Sequence, residues 1–228
     1  MAGVAASEWR GADPLDPRRT LHGVPSPETA PGPRRGPRTR DPARKQRILA
    51  AAADLMATNG YHAVSMEDIG SAVGITASAI YRHYGSKNAV LVAMFESVID
   101  GLLAQGQQLA ADHGADPLHA LTQLIEGQID FVVGQREVAQ VYFREIANLP
   151  DDDRRGLRRK QRLYLEEWVH LLLELRPDLD DTSARAIVHC AIGAIQSTLQ
   201  HSAGLPEPRL RALLGASALA VLTSAPSN

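Results

Sequence analysis

The sequence is poor in cysteine and lacks the segments that direct a chain into or across a membrane. Cys190 is the only cysteine among 228 residues, so the chain forms no internal disulfide. No segment combines a basic flank, an apolar stretch and a cleavage site, and no run of about 18 uncharged apolar residues is present that would cross a bilayer. We therefore expect a cytoplasmic protein that does not bind a membrane.

Aromatic residues are also scarce, at 4% of the chain. From Ala43 onward apolar residues, mostly Ala and Leu, recur at spacings of three and four, which favours helices over strands. We predict an all-α protein of about nine helices.

The net charge of −2 hides an asymmetry along the chain. Residues 1–95 carry 12 Lys and Arg against 8 Asp and Glu, whereas residues 96–228 carry 12 against 18. Because a polyanion docks where positive charge is concentrated, the N-terminal part is the candidate nucleic-acid face.

The first 40 residues are rich in Pro, Gly and Arg and hold few large apolar side chains, so we predict a disordered tail over 1–40. From Arg34 to Arg47 the sequence has seven basic residues and one acid, Asp41. Two interpretations of this basic segment stay open: a solvated tail without a function, or an arm that contacts the phosphates of DNA.

Order is predicted to begin at Asp41-Pro42, an N-cap residue followed by proline at the first helical position. Asn59-Gly60 then supplies a left-handed stop for this first helix. These start and stop signals bound a first helix of about five turns.

Two short helices follow. Ser65 and Asp68 form a capping box for the second helix, Gly74 ends it, and Thr76 caps a third helix that runs to Tyr84. Two helices of about two turns joined by a glycine turn and braced by a longer first helix make a helix-turn-helix unit.

Ser86 is predicted to cap a long fourth helix that connects to a second domain. Further helices are expected at 117–133, 137–149, 152–175, 182–201 and 207–222. The predicted domains are the tail at 1–40, a helix-turn-helix DNA-binding domain at 41–88, and a helical ligand-binding and dimerisation domain at 89–224.

The segment Gly74–Val90, GITASAIYRHYGSKNAV, resembles the signature of the TetR family of repressors, and Ala51-Ala52, Asn59–Tyr61 and Ser65–Ile69 lie at the family's spacing. The resemblance covers residues 43–95. It implies a homodimer that binds a near-palindromic operator and is released when a small-molecule effector enters the C-terminal domain. It also implies that helices five to seven enclose the ligand and that the last two helices form a dimeric four-helix bundle.

The predicted DNA contacts are Thr76, Ala77, Ser78, Tyr81, Arg82, His83 and Lys87. Short side chains at the start of a recognition helix reach base edges, and the later ones line its flank for phosphates. Alternatives stay open for Tyr81 as a packing residue, His83 as a structural hydrogen-bonder and Ser78 as a surface serine. The family often carries lysine and glycine or threonine where this chain has Ala77, Ser78 and Ala79, so operator sequence does not transfer from relatives.

The candidate ligand-binding residues are Phe131, Tyr142, Phe143 and Trp168, large side chains of the middle helices that otherwise form plain core. The basic run from Arg154 to Arg162 is interpreted as a solvated helix face balanced by the acids at 151–153. The alternative is an anionic effector such as an acyl-coenzyme A. We expect either a hydrophobic molecule or an acyl-coenzyme A as effector.

The last two helices carry broad faces of small and apolar residues that a two-fold interface would bury. The predicted interface residues are Ile187, Cys190, Ala191, Gly193, Ala194, Ile195 and either Thr198 or Leu199, then Leu210, Leu213, Leu214, Ala218 and Val221.

No enzyme chemistry is predicted, and no cofactor or metal. The histidines form no pair with metal-ligand spacing, and His189 and Cys190 point about 100° apart on one helix. Two rival functions stay open: a constitutive DNA-binding regulator without a small-molecule inducer, and an activator.

Overall fold

The computed structural model describes residues 42–111, 116–200 and 204–224, and every regular element in these ranges is helical. The α-helices of this part are Pro42–Asn59 (α1), Met66–Ala72 (α2), Ala77–Tyr81 (α3), Lys87–Ala111 (α4), Pro117–Ile129 (α5), Arg136–Glu145 (α6), Asp151–Leu175 (α7), Asp181–Gln196 (α8) and Glu207–Thr223 (α9). The all-α prediction is confirmed. The predicted tail and Asp41, the predicted N-cap of α1, lie outside the described residues.

Local signals set the end of α1 and the starts of α2 and α4, as predicted, whereas α3, predicted to run to Tyr84, ends at Tyr81. Gly60 has φ +84°, directly after α1 ends. At the start of α2 the Asp68 amide donates to Ser65 Oγ at 3.1 Å, and the Ser65 amide donates to Asp68 Oδ2 at 2.8 Å. The Ser65 hydroxyl also donates to Asp68 Oδ2 at 2.7 Å, and the hydrogen bonds from this hydroxyl and from the Ser65 amide lower the pKa of Asp68. Ser86 Oγ accepts from the Ala89 amide at 3.0 Å and caps α4.

The structure divides three of the predicted helices: those at 137–149 and 182–201 end in short 3-10 turns at Ile146–Asn148 and Ser197–Leu199, and the one at 117–133 changes geometry inside the element. It leaves α-helical geometry after Ile129 and continues as a π-helical turn, Asp130–Gly134, in which the Gln135 amide donates to the Asp130 carbonyl at 3.1 Å. Such turns insert one residue and re-aim the side chains around them. Phe131, a candidate ligand residue, lies in this turn.

The described helices share one hydrophobic core, and residues from 41 onward form one compact unit. Helix α4 packs against α7, α5 and α1, while α8 packs against α9. Helix α1 also contacts α6, where Arg144 Nη1 donates to the Ala57 carbonyl at 3.3 Å. The domain boundary that we place at residue 88 stays a prediction.

Among the described residues, Lys87–Leu109 of α4 is long and apolar enough to cross a membrane by length and composition alone. The prediction of no uncharged run of this length is not contradicted, because this segment holds two acids, Glu96 and Asp100, and begins at Lys87. Both acids pair with Lys160 on α7, at 3.1 Å and 2.8 Å. These ion pairs and the packing on three neighbours are those of a helix in a packed helical protein.

Candidate DNA-binding surface and ligand cavity

Two glycines shape the connection between α2 and α3, Gly70 within α2 and Gly74 in the turn after it. A Cβ at Gly70 would lie 2.7 Å from the Ile75 carbonyl oxygen and 3.2 Å from the Ala77 nitrogen. Gly74 has φ +69°, in the left-handed region that side chains disfavour. The close approach sets α3 against α2, as a helix-turn-helix requires.

Helix α3 and the residues after it have one inward and one outward face. Ile80 is fully buried and Tyr84 nearly so, as predicted. Thr76, Ser78, Arg82 and His83 are exposed, and Tyr81 keeps 50% of its surface accessible. An aromatic ring this exposed is not a core residue, so the packing interpretation of Tyr81 is wrong.

Two predictions at the start of α3 need correction. Thr76 occupies the N-cap position but its hydroxyl caps no backbone amide. Instead Thr76 Oγ1 lies 2.9 Å from Ser78 Oγ, so the two hydroxyls share a hydrogen bond. Ala77 is half-buried and packs against the core, which leaves less of its methyl group to meet a base than we expected.

Lys87 takes a different place from the predicted phosphate contact. Its ammonium donates to the carbonyls of Tyr61 and Val64 at 2.7 Å each and of His62 at 3.3 Å. It also lies 4.4 Å from the centroid of the Tyr61 ring. All three ammonium protons are engaged, because –NH₃⁺ has three donors. Lys87 therefore closes the loop between α1 and α2, and the sequence carries no local signal for this contact.

A cavity of about 940 Å³ lies between α4, the end of α5, α6, α7 and α8. Three of the four candidate ligand residues line it: Phe131, Tyr142 and Phe143. The Tyr142 ring meets Phe95 edge to face with centroids 4.7 Å apart. Phe95, on α4, thus brings the connecting helix into the cavity wall.

Trp168 is the candidate that the structure places elsewhere. Its side chain is 0% exposed and it does not line the cavity. The indole packs edge to face against Tyr164, at a centroid distance of 6.0 Å, and its Nε1 has no acceptor in the described part of the chain. Helix α7 turns this position toward the core, so Trp168 is a packing residue here.

The basic run on α7 contains both ion-paired arginines and arginines that line the cavity. Arg154 and Arg155 pair with Asp151 and Asp152, as a balanced helix N-terminus requires. The cavity lining also includes four arginines that recur at helical spacing, namely Arg155, Arg158, Arg159 and Arg162. Within residues 42–111, 116–200 and 204–224 the last three form no ion pair. The cavity therefore joins an apolar interior to a cationic mouth, which sequence analysis had not favoured.

The interface prediction for α8 and α9 mixed two faces. Ala191, Ile195, Thr198, Leu214 and Ala218 are buried in the chain's own core, because α8 and α9 pack on each other and on α5. The face left exposed consists mostly of smaller residues: Ser183, Ala186, Cys190 and Gly193 on α8, Ser197 directly after it, and Leu213, Ala216, Ser217 and Ala220 on α9.

Comparison with known proteins links this architecture to one group of regulators. Residues 48–94, from α1 into α4, match the profile of "Bacterial regulatory proteins, tetR family". The transcriptional repressor KstR2 of Mycolicibacterium smegmatis is 28% identical over 146 residues, which span 60% of this chain and 70% of that protein. The transcriptional activator FasR of the same species is 30% identical over 103 residues, 45% of this chain and 47% of that protein.

Solved structures extend the likeness to the C-terminal helices. A TetR-family regulator from Bordetella parapertussis is 26% identical, covers 80% of this chain and 95% of its own, and has a TM-score of 0.68. The regulator FadR of Bacillus subtilis, solved with stearoyl-CoA, is 21% identical with a TM-score of 0.65, over 78% of this chain and 97% of its own. AibR, solved with isovaleryl coenzyme A and operator DNA, is 20% identical with a TM-score of 0.62, over 76% and 97%.

Proposed function

Because this chain belongs to the TetR family of transcriptional regulators, we propose that it is a homodimeric repressor, released from a near-palindromic operator by a small molecule. The observation that carries the proposal is the exposed outer face of α3 on a glycine-locked helix-turn-helix. Repression by occluding a promoter needs no further partner surface. The proposal places the protein in the cytoplasm, with the DNA.

Recognition of the operator falls to the exposed residues at and after α3. Thr76 and Ser78 are short hydroxyl residues at its N-terminal end, suited to base edges in the major groove. Tyr81 and His83 contact phosphates on the flank, and Arg82 reaches a guanine or a phosphate. The hydroxyl pair Thr76–Ser78 has to exchange its mutual hydrogen bond for contacts to DNA.

The effector proposed for the cavity is an acyl-coenzyme A or a similar anionic amphipathic molecule. Its apolar part packs against Phe95 and Phe131, and its phosphates bind Arg158, Arg159 and Arg162 at the mouth. Arginine suits phosphate because its planar group donates two parallel hydrogen bonds. The likeness to FadR and AibR, both solved with acyl-coenzyme A ligands, supports this class.

A second copy of the chain covers the exposed face of α8 and α9. The face consists of small side chains around Leu213, which is 53% exposed, and small residues let helices approach closely. A two-fold contact there sets two α3 helices about 34–36 Å apart, one turn of DNA.

Release follows from a population shift transmitted by α4. This helix lines the cavity with Phe95 and Ile99, and its first residue, Lys87, holds the loop of the helix-turn-helix. A ligand that favours a rotated α4 moves both α3 helices out of register with the major grooves. A difference of about 3 kcal/mol between the two states weakens operator binding about 100-fold.

Activation is the second candidate function, and the likeness to FasR, named an activator, is the observation that favours it. The two roles separate in a reporter assay. Deletion of the gene raises transcription from the target promoter if the protein represses, and lowers it if the protein activates.

The test of the proposal is binding to duplex DNA from the gene's own upstream region, with and without lauroyl-coenzyme A. We expect selective binding that Tyr81→Ala weakens and lauroyl-coenzyme A reverses. Arg158→Gln with Arg162→Gln should lower affinity for lauroyl-coenzyme A tenfold or more and leave DNA binding intact. Arg154→Gln, on the same helix but outside the cavity, is the matched control. Binding without sequence preference, unchanged by Tyr81→Ala, contradicts the assignment of α3.

A further inference from the structure

The apolar wall of the cavity is interrupted by two pairs of polar side chains. Tyr164 donates its hydroxyl proton to Gln128 Oε1 at 3.3 Å, and Gln161 Nε2 donates to the Tyr142 hydroxyl oxygen. All four residues line the cavity. They come from α5, α6 and α7, so the tertiary fold alone brings them together. We call these four residues the polar belt.

The belt leaves donors without acceptors. Gln128 is only 3% exposed, and its Nε2 donates no hydrogen bond to any residue that the structure describes. The amide is oriented with Oε1 toward Tyr164 because that oxygen accepts the hydroxyl proton, so the end without a partner is the N–H₂ group. The hydroxyl proton of Tyr142 likewise meets no acceptor within the described ranges. Both groups belong to residues that line the cavity, so a ligand atom inside it can accept the hydrogen bonds that the protein leaves unmade.

Both groups are donors at physiological pH. Burial raises the pKa of Tyr142 to about 12, so its phenol keeps its proton. An amide N–H₂ does not titrate and offers two protons. The complementary ligand atom is therefore an acceptor, and carbonyl and hydroxyl oxygens are acceptors that an acyl chain can carry.

The belt also lies close to the cationic mouth. Gln161 follows Arg158 by three residues on α7, which is about 4.5 Å along the helix axis. An oxygen bound there belongs to the end of the acyl part nearest the phosphates, and the remaining hydrocarbon extends toward Phe95 and Phe131.

We propose that Gln128 and Tyr142 recognise an oxygen atom on the acyl part of the effector, either the thioester carbonyl or a hydroxyl group near it. The inference rests on the proposed effector class and adds to it the residues that distinguish one acyl ligand from another. A purely hydrocarbon ligand leaves both donors unpaired and binds more weakly.

Three coenzyme A derivatives with the same chain length test this inference: lauroyl-coenzyme A, 3-hydroxylauroyl-coenzyme A, and S-dodecyl-coenzyme A, a thioether without the carbonyl. Their dissociation constants are measured by calorimetry for the wild type, Gln128→Leu and Tyr142→Phe. Gln196→Leu, which removes another cavity-lining amide, is the matched control. Tyr142→Phe keeps the ring contacts with Phe95 and Phe131, and thermal melts with operator binding confirm that each variant folds.

If the carbonyl is the recognised oxygen, the wild type binds lauroyl-coenzyme A about tenfold more tightly than the thioether. If a hydroxyl is recognised, 3-hydroxylauroyl-coenzyme A binds about tenfold more tightly than lauroyl-coenzyme A. In both cases Gln128→Leu or Tyr142→Phe removes the preference and Gln196→Leu preserves it.

Equal affinity of the wild type for all three compounds overturns the inference while leaving the effector class in place. The same holds if Gln128→Leu and Tyr142→Phe weaken all three equally. If no compound binds, the acyl-coenzyme A proposal fails and the inference fails with it, although selective operator binding still supports a regulator.

Discussion

Replacing Lys87 by methionine tests whether this residue braces the fold or binds phosphate. The change keeps the length of the side chain and removes three hydrogen bonds to the carbonyls of the α1–α2 loop. Hydrogen bonds to a charged group contribute roughly 1.5–3 kcal/mol each when buried. This loop is partly exposed and the freed carbonyls regain water, so we expect a total loss of about 2 kcal/mol.

For a chain of this size, such a loss lowers the melting temperature by about 4–8 °C. Circular dichroism measures the melt, and fluorescence anisotropy measures operator binding across a series of salt concentrations. A bracing residue changes stability without changing the slope of log K against log salt, whereas a phosphate contact reduces that slope by about 0.9. Lys45→Met, at an exposed position on α1, is the control. Its free energy of unfolding should lie within about 0.5 kcal/mol of the wild-type value.

The reasoning is refuted if Lys87→Met melts like the wild type and lowers the salt slope by about one. That pair of results makes Lys87 the phosphate ligand that its place in the sequence suggests. It also means that its ammonium leaves the loop carbonyls when DNA binds.

Three further predictions concern the helix-turn-helix. Arg82→Gln should lower the salt slope of operator binding by about 0.9 at unchanged stability, and an unchanged slope rules out a phosphate contact. Gly70→Ala should destabilise the protein more than Gly74→Ala in urea unfolding, because a Cβ at Gly70 meets a backbone oxygen at 2.7 Å whereas one at Gly74 meets nothing within 4 Å and costs about 1–2 kcal/mol for its positive φ. Hydrogen bonding depresses the folded pKa of Asp68, so its contribution is present above the unfolded pKa of about 3.9 and is lost as pH falls through the folded value. The gap in melting temperature between wild type and Asp68→Asn should therefore be full at pH 7 and shrink in acid; a gap independent of pH contradicts this.

Positions of the helices were predictable wherever the signal was local. Ser65 and Asp68 form their capping box within four residues of chain, and Asn59-Gly60 ends α1 by backbone conformation alone. Such contacts do not depend on the rest of the fold, so composition and spacing reveal them. The π-helical turn at 130–134 was not predicted, because no comparable local signal marks it.

The roles of side chains at the candidate sites were harder to predict, because each role depends on residues distant in sequence. Lys87 donates to carbonyls more than twenty residues earlier in the chain. Trp168 was predicted to bind the ligand, but its position on α7 places it in the core. Arg158 and Arg162 form the same helical stripe whether they face bulk solvent or a cavity. Only the packing of α4 and α8 beside α7 decides between these environments.

The sequence by itself determined that the chain is helical, where most helices begin and end, and that a helix-turn-helix stands near the N-terminus. These properties follow from periodicity, caps and glycines, which act over a few residues. The tertiary structure decided which aromatic residues enclose a cavity, that arginines stand at its mouth, that Gln128 and Tyr142 present unpaired donors inside it, and that Lys87 braces a loop. These depend on which faces of distant helices meet, and that is settled by burying one shared core rather than by any short stretch of chain.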